Sequence, residues 1–188
     1  MNITYRQATI DDLPDIVRML ADDFLGTQRE SLELPLKESY IKAFREIEAD
    51  PNNELIVTVE STTPSADHPA DEASAPLLKP GGELNPATPP IQEGSCEQII
   101  GTLQLIITPS LSYQGGKRSS VESVRVDGKY RGQGIGREMM LWAIERAREK
   151  GCISMHLTSH GDRKDAHRFY EQLGFKKTHV GMKISLVD

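Results

Sequence analysis

The chain has little that would commit it to a membrane, a disulfide framework or a nucleic-acid surface. Its longest uninterrupted apolar run, Met139 to Ile144, falls far short of the roughly 18 residues needed to cross a bilayer, so no membrane helix is expected. The opening Met1-Asn2-Ile3-Thr4-Tyr5-Arg6 has neither a basic head followed by an apolar stretch nor a lipidation signature. A soluble, cytoplasmic protein is the expectation. Cysteines number two, Cys96 and Cys152; they cannot form a metal cluster alone and do not resemble a secreted disulfide framework, so both read as free thiols and no metal is expected. Positive charge is also scarce. Lys plus Arg total 22 against 28 Asp plus Glu, a formal net charge of -6, which argues against a broad electropositive surface and against a nucleic-acid partner.

A length of 188 residues fits one domain spanning 1–188. Within it, residues 61–97 hold seven of the eleven prolines, no aromatic residue, and one lysine, Lys79, against six acids. Such a segment cannot bury enough apolar surface to offset its ordering entropy, which predicts a flexible loop insertion. Most of the net charge belongs to it, leaving the remainder nearly neutral. Strand-like runs flank it, Leu55 to Val59 before and Ile99 to Ile107 after, so the insertion extends a hairpin connection. Closure entropy grows slowly with length, and a hairpin tip tolerates such a loop. An inert insertion is the plainer reading, a regulatory peptide the sharper one.

Elsewhere the pattern alternates strand and helix. Ile3 to Gln7 reads as an edge strand. Thr9-Ile10-Asp11-Asp12 supplies capping residues for a helix with Leu13, Ile16, Val17 and Leu20 on one face. A second helix is expected from Lys37 to Ala49, ended by Asp50-Pro51-Asn52-Asn53. After a turn region at Pro109 to Arg118 comes a strand over 119–126, whose apolar residues Val121, Val124 and Val126 slip out of strict alternation. A β-bulge produces such a slip. A long helix from Gly134 to about Lys150, a strand from Ile153 to Thr158 and a short helix bearing Ala166, Phe169, Tyr170 and Leu173 follow. Gly174 is placed to end that helix. Phe175 to Val180 and Met182 to Leu186 read as a closing hairpin. The order predicts a mixed α/β layer protein. Trp142, Met139 and Met140 on the long helix read as core.

Between the slipping strand and the long helix lies Asp127-Gly128-Lys129-Tyr130-Arg131-Gly132-Gln133-Gly134-Ile135-Gly136-Arg137. Glycines let a backbone approach a ligand, and unpaired N–H groups at a helix start suit phosphate oxygens. Tight strand-to-helix turns also need glycines for steric reasons, so the turn alone does not decide. A dinucleotide fingerprint counted from Gly132 would need glycine where Arg137 stands, and the nearest acid past the following strand, Asp162, is 30 positions away instead of about 20. A Walker loop needs Gly-Lys followed by Ser or Thr, which is nowhere in the chain. Nicotinamide binding and ATP or GTP hydrolysis are both disfavoured.

Arg131-x-x-Gly134-x-Gly136, following an apolar strand, and Ala166-x-x-Phe169-Tyr170-x-x-Leu173-Gly174-Phe175 beyond it together resemble the GNAT superfamily of acetyl-CoA-dependent N-acetyltransferases. The resemblance is close over 99–186, extends to 3–60 and excludes the insertion. It implies a mixed, mostly antiparallel central sheet, split between its fourth and fifth strands and flanked by about four helices. The motif Asp165 to Tyr170 looks most like small-molecule amine acetyltransferases, including the aminoalkylphosphonate type. By the same resemblance, backbone groups of Val124, Arg125 and Val126 would hold the pantetheine arm of acetyl-CoA, the acetyl donor, with the Val126 N–H polarising the acetyl carbonyl. Amides from Gly132, Gln133, Gly134, Ile135, Gly136 and Arg137 would hold the pyrophosphate, with charge from Arg131 and Arg137. Tyr170, which could also be a plain core residue, would protonate the departing thiolate. Glu122 is the first choice for the base that takes a proton from the amine, with His156 and His160 as alternatives and a structural carboxylate as the bland reading. Many relatives carry Asn where this chain has Arg163, so a cofactor contact there is not carried over. Asp22, Asp23, Glu30, Glu33 and Glu38 could attract an amine or could form a solvated acidic face. The acceptor is a small-molecule or peptide amine, relatives imply a homodimer, and a catalytically silent acyl-CoA-binding regulatory module is the competing reading.

Overall fold

The computed structural model describes residues 2–22, 26–62 and 96–186. Five strands form one sheet in the order β1-β2-β3-β4-β5: β1 (Asn2–Gln7), β2 (Asn53–Thr62), β3 (Cys96–Thr108), β4 (Lys117–Val126) and β5 (Cys152–His156). Every neighbouring pair is antiparallel except β4 with β5, which is parallel. Four longer helices accompany the sheet, α1 (Leu13–Ala21), α2 (Glu38–Ala49), α4 (Ile135–Glu149) and α5 (Lys164–Gln172). The expected turn at 109–118 contains a single-turn α3 (Ser112–Gly115), whose Tyr113 and Gln114 have positive φ.

Period-two alternation sorts the sheet's side chains to two faces. Ile56, Ile100, Leu103, Leu105 and Val121 are buried in one cluster with Ile135, Met139, Met140 and Ala143 of α4. Val57 and Val59 turn the other way and are buried with Ile16 of α1. The expected cap of α1 is present: Thr9 and Asp12 exchange capping-box hydrogen bonds, and Asp12 also receives Arg6 at 2.7 Å. Trp142 stacks on Tyr5 with ring centroids 5.3 Å apart, at the margin of the core as expected. At the far end of α4, Arg146 and Lys150 reach the buried carboxylate of Glu54 on β2.

Two expectations need correction. The expected insertion at 61–97 is narrower at both ends, because Ser61 pairs with Glu97 and Thr62 with Cys96 in the β2–β3 ladder; the β-branched run of β2 carries the hairpin outward past the composition change. The rest of the expected loop, 63–95, lies outside the described residues. The closing hairpin is absent: 175–186 contain no strand, and Val180, Met182, Ile184 and Leu186 are 92%, 96%, 81% and 90% exposed. Alternation marks a segment fit to pair, and pairing needs a partner edge. Cys152 is a free thiol.

Candidate active site

The site is built where β4 leaves β5. Lys117, Arg118, Ser119 and Ser120 pair with β5 up to His156, whereas β4 continues to Val126 with β3 as its one neighbouring strand among the described residues. The expected bulge is at this point. Thr102 faces Arg125 and Gln104 faces Glu122, so Ser123 and Val124 share Leu103 as their single opposite residue, and Ser123 has φ 54°. A bulge strengthens local twist and bends its strand, which turns the end of β4 away from β5 and opens the sheet.

Strand alternation fixes what faces the opening. Asp127 donates its N–H to Ile100 O on β3 at 2.9 Å, so Val126 presents its own N–H and C=O to the opposite, open edge. Arginine side chains cap the carbonyls there. Arg131 Nε donates to Val126 O at 3.1 Å and Arg125 donates to Val124 O at 3.0 Å. The Arg131 guanidinium also binds the Asp22 carboxylate at 2.8 Å, tying the end of α1 to the glycine turn.

That turn enters α4 through Gly132 (φ 76°) and Gly134 (φ 85°). A side chain at either position would meet the left-handed penalty of about 1–2 kcal/mol. The resulting backbone leaves the amides of Gly132, Gln133, Gly134, Ile135 and Gly136 without a hydrogen-bond acceptor among the described residues. They sit at the positive end of a 15-residue helix, a ready place for an anion. Arg137 is the exception, since its N–H donates to Gly134 O at 2.9 Å. Beside the turn is a cavity of about 330 Å³. Val126 forms one wall; Tyr130, Arg131, Gly132, Gly134, Ile135, Gly136 and Arg137 form the second; Phe169, Gln172 and Leu173 of α5 form the third.

Seven of the twelve expected site residues therefore line one cavity. Gln133 does not, its side chain donating to Lys129 O at 3.1 Å. Glu122, Val124, Arg125 and Tyr170 lie outside the cavity walls; the first three follow the opened edge of β4. Tyr170 packs edge-on against Phe169 and Phe175 at 5.1 and 5.9 Å, and its hydroxyl makes no hydrogen bond among the described residues. Burial pushes its pKa above the ordinary value, the Arg125 and Arg163 charges pull it down, and the Glu122 carboxylate raises it. All four groups thus share one electrostatic neighbourhood. Glu122 has no ion pair or hydrogen bond among the described residues, and burial raises its pKa. The alternative bases are engaged: His156 Nε2 lies 3.1 Å from Ser154 Oγ, and His160 Nδ1 lies 3.4 Å from Asp162.

Two of the acids expected near the acceptor are engaged by other side chains. Asp22 is bound to Arg131 and Glu30 accepts from the Tyr40 hydroxyl at 2.8 Å, while Asp23 lies outside the described residues. Sequence reasoning missed Tyr130 and Gln172 as cavity walls, and it missed Asp127. Asp127 is buried, accepts from Lys129 N–H at 2.9 Å and binds Arg18 at 2.8 Å. Burial opposes its ionisation, but these donors hold its pKa below the carboxylate norm. The signal was legible as an Asp-Gly pair directly after a strand, a turn-capping arrangement.

Comparison with known proteins gives a consistent picture. The family described as "Acetyltransferase (GNAT) family" matches residues 41–175. A glucosamine 6-phosphate N-acetyltransferase of Trypanosoma brucei brucei is 34% identical over 89 residues, 47% of this chain and 58% of that protein. An aminoalkylphosphonate N-acetyltransferase of Salmonella typhimurium is 45% identical over 49 residues, 26% of this chain and 32% of that protein. The chain thus spans less than two thirds of either relative's length. A crystal structure from Bacillus halodurans C-125, described as a transcriptional regulator, is 42% identical, covers 98% of this chain and 100% of that one, and superposes with a TM-score of 0.75.

Proposed function

Since the chain belongs to the GNAT family of acetyltransferases, we propose that it transfers the acetyl group of acetyl-CoA to a primary amine by direct attack, with the opened β4 edge and the glycine turn as its donor site. The single observation that carries this reading is the row of five uncapped amides, Gly132 to Gly136, at the start of α4 beside the cavity. A diphosphate offers the negative oxygens that such a row can hold. The fit extends along β4. Val124 and Val126 expose backbone groups whose carbonyls are capped only by arginine side chains, and a side chain can swing aside where a strand cannot. Arg131, once displaced, has its charge beside the same turn.

Acetyl-CoA supplies an activated acyl group on a thiol leaving group. The chain's own residues do the rest. Glu122 Oε accepts the proton of the acceptor ammonium, because only a neutral amine attacks; its pKa, raised by burial, moves toward the operating pH of a general base. The Val126 N–H, fixed in the opened edge, meets the negative charge that develops on the acetyl oxygen, an effect worth about 3 kcal/mol in other enzymes. Tyr170 Oη gives its proton to the departing sulfur. Two relatives are named for amines bearing a phosphate or a phosphonate, and Arg125 and Arg163 near Tyr170 would complement such an anion. Those acceptors head the screen. A cytoplasmic location suits a reaction that consumes acetyl-CoA.

The test is a calorimetric titration with acetyl-CoA followed by thiol release across an amine panel. Binding with release for at least one amine is expected; binding without release for any amine would turn the reading to the silent acyl-CoA module. Glu122→Gln is expected to lower kcat/KM by about 10²–10⁴-fold, the range for a lost proton-transfer group. The ionised carboxylate exists only above its raised pKa, so wild-type kcat/KM rises with pH through that value. A pH–rate series should show this acidic limb for the wild type and none for the variant.

A further inference from the structure

Helix α1 and the turn after β4 are joined by two ion pairs of opposite sense and equal spacing. Arg18 of α1 binds Asp127 at 2.8 Å, and four residues further along both segments Asp22 binds Arg131, also at 2.8 Å. The two halves of this clamp differ in burial. The Asp127 side chain is 5% exposed, whereas those of Asp22 and Arg131 are 48% and 50% exposed. A buried pair persists because parting it strands a charge away from water, while an exposed pair is worth little and exchanges readily. The Arg18 half is the fixed one, and the Asp22 half is the one that can open.

Three contacts hold Arg131 in that second half. Its Nε donates to Val126 O at 3.1 Å, and one terminal nitrogen donates to both Asp22 O at 3.0 Å and Asp22 Oδ2 at 2.8 Å. Asp22 is the C-cap of α1, so the guanidinium also meets the negative end of the helix dipole. The pair bridges two cavities. Arg131 lines the one beside the glycine turn, and Asp22 lines a second of about 460 Å³ together with Arg18, Leu32 and Lys129. A diphosphate carries more negative charge than one carboxylate and offers several oxygens to the same planar donor. We propose that Asp22 is an autoinhibitory counter-ion for Arg131: it holds the guanidinium until acetyl-CoA draws it to the diphosphate, and that exchange unfastens the end of α1 and the wall of the second cavity.

The proposal rests on the donor-site reading given above, and Asp22→Asn tests it by keeping the side chain's shape while removing its charge. Calorimetry should show acetyl-CoA binding the variant about three-fold more tightly than wild type, within the range of one exposed ion pair. A contact that only supports the structure would give equal or weaker binding. Losing any acid near an anion site also tightens binding through the general field, so the substitution is repeated in an Arg131→Gln background, where the gain should vanish. A gain that persists there is a field effect and overturns the proposal. Hydrogen exchange gives a readout independent of affinity, with circular dichroism confirming that each variant is folded. In wild type, saturating acetyl-CoA should quicken amide exchange in the last turn of α1, residues 18–21, against the slowing that a ligand ordinarily produces. In Asp22→Asn the same amides should exchange quickly from the start and ignore the ligand. Equal affinity of wild type and Asp22→Asn, or an α1 end slowed by acetyl-CoA, would overturn the proposal and leave the donor site standing. No binding of acetyl-CoA by wild type would overturn the donor-site reading and this proposal together.

Discussion

Tyr170→Phe is expected to lower kcat for acetyl transfer by about 10²–10⁴-fold, the usual contribution of a positioned general acid, while leaving the affinity for acetyl-CoA close to wild type. The substitution removes one oxygen and nothing else. The aromatic ring holds its place against Phe169 and Phe175 through edge contacts that a phenyl group reproduces, and the hydroxyl has no hydrogen-bond partner among the described residues, so no buried acceptor is orphaned. A thermal transition within a degree or two of wild type is the structural control. The pH behaviour gives a second readout. Burial raises the Tyr170 pKa above its ordinary value near 10, with Arg125 and Arg163 acting against that rise. The phenol therefore keeps its proton throughout the neutral range, and the wild-type rate should fall only at strongly alkaline pH. In the variant that alkaline limb should disappear. Calorimetry with acetyl-CoA and steady-state rates across pH 6–11 check both statements; unchanged turnover would remove Tyr170 from the mechanism.

Local chemistry explains which parts of this arrangement were legible beforehand. The slip at Val121, Val124 and Val126 announced a bulge because period two is strict on a half-buried strand, and the register shows Ser123 and Val124 opposite Leu103. The glycines of 132–136 announced a tight strand-to-helix turn, and Gly132 and Gly134 make it with positive φ. What a sequence pattern cannot carry is the state of a long side chain. The sequence pattern offers Arg131 as a charge for phosphate, whereas its guanidinium spans Val126 O and Asp22. That geometry depends on α1 ending 109 positions earlier, a distance over which no periodicity speaks. The tail failed for a related reason. Alternation over 180–186 specifies a strand's faces but says nothing of which edge receives it, so the pattern points to a hairpin where residues 175–186 contain no strand. Glu54 was invisible to pattern reasoning for the same cause, since its partners come from a helix about 92 residues away.

That carboxylate carries the second large expectation. Glu54 is 5% exposed at its side chain and receives Arg146 through two hydrogen bonds of 3.0 Å, with Lys150 at 2.8 Å. Removing one partner of a buried pair typically costs 3–5 kcal/mol, because the remaining charge is left uncompensated. Here the cations are about one third exposed, and Arg146 keeps Glu149 at 3.2 Å, so Glu54→Ala is expected near the low end, about 3 kcal/mol. For a domain of this size each kcal/mol moves Tm by roughly 2–4 °C, giving a fall of about 6–12 °C. Acid should erase the difference. Burial by itself would raise the Glu54 pKa, but Arg146 and Lys150 outweigh it and hold the group below the carboxylate norm. A depressed folded-state pKa contributes stability that is complete above the unfolded value, near 4.3, and is lost as pH falls through the folded value. The gap between wild type and Glu54→Ala in thermal scans should therefore be wide at pH 7 and narrow progressively below about pH 4. Function supplies the complementary check. Glu54 clamps β2 to the C-terminal end of α4, whereas the five free amides lie at the other end of that helix. At a temperature where both proteins are folded, acetyl-CoA should bind the variant with wild-type affinity and raise both transitions by similar amounts; a selective loss of binding would mean that this distant clamp also sets the pitch of the cradle.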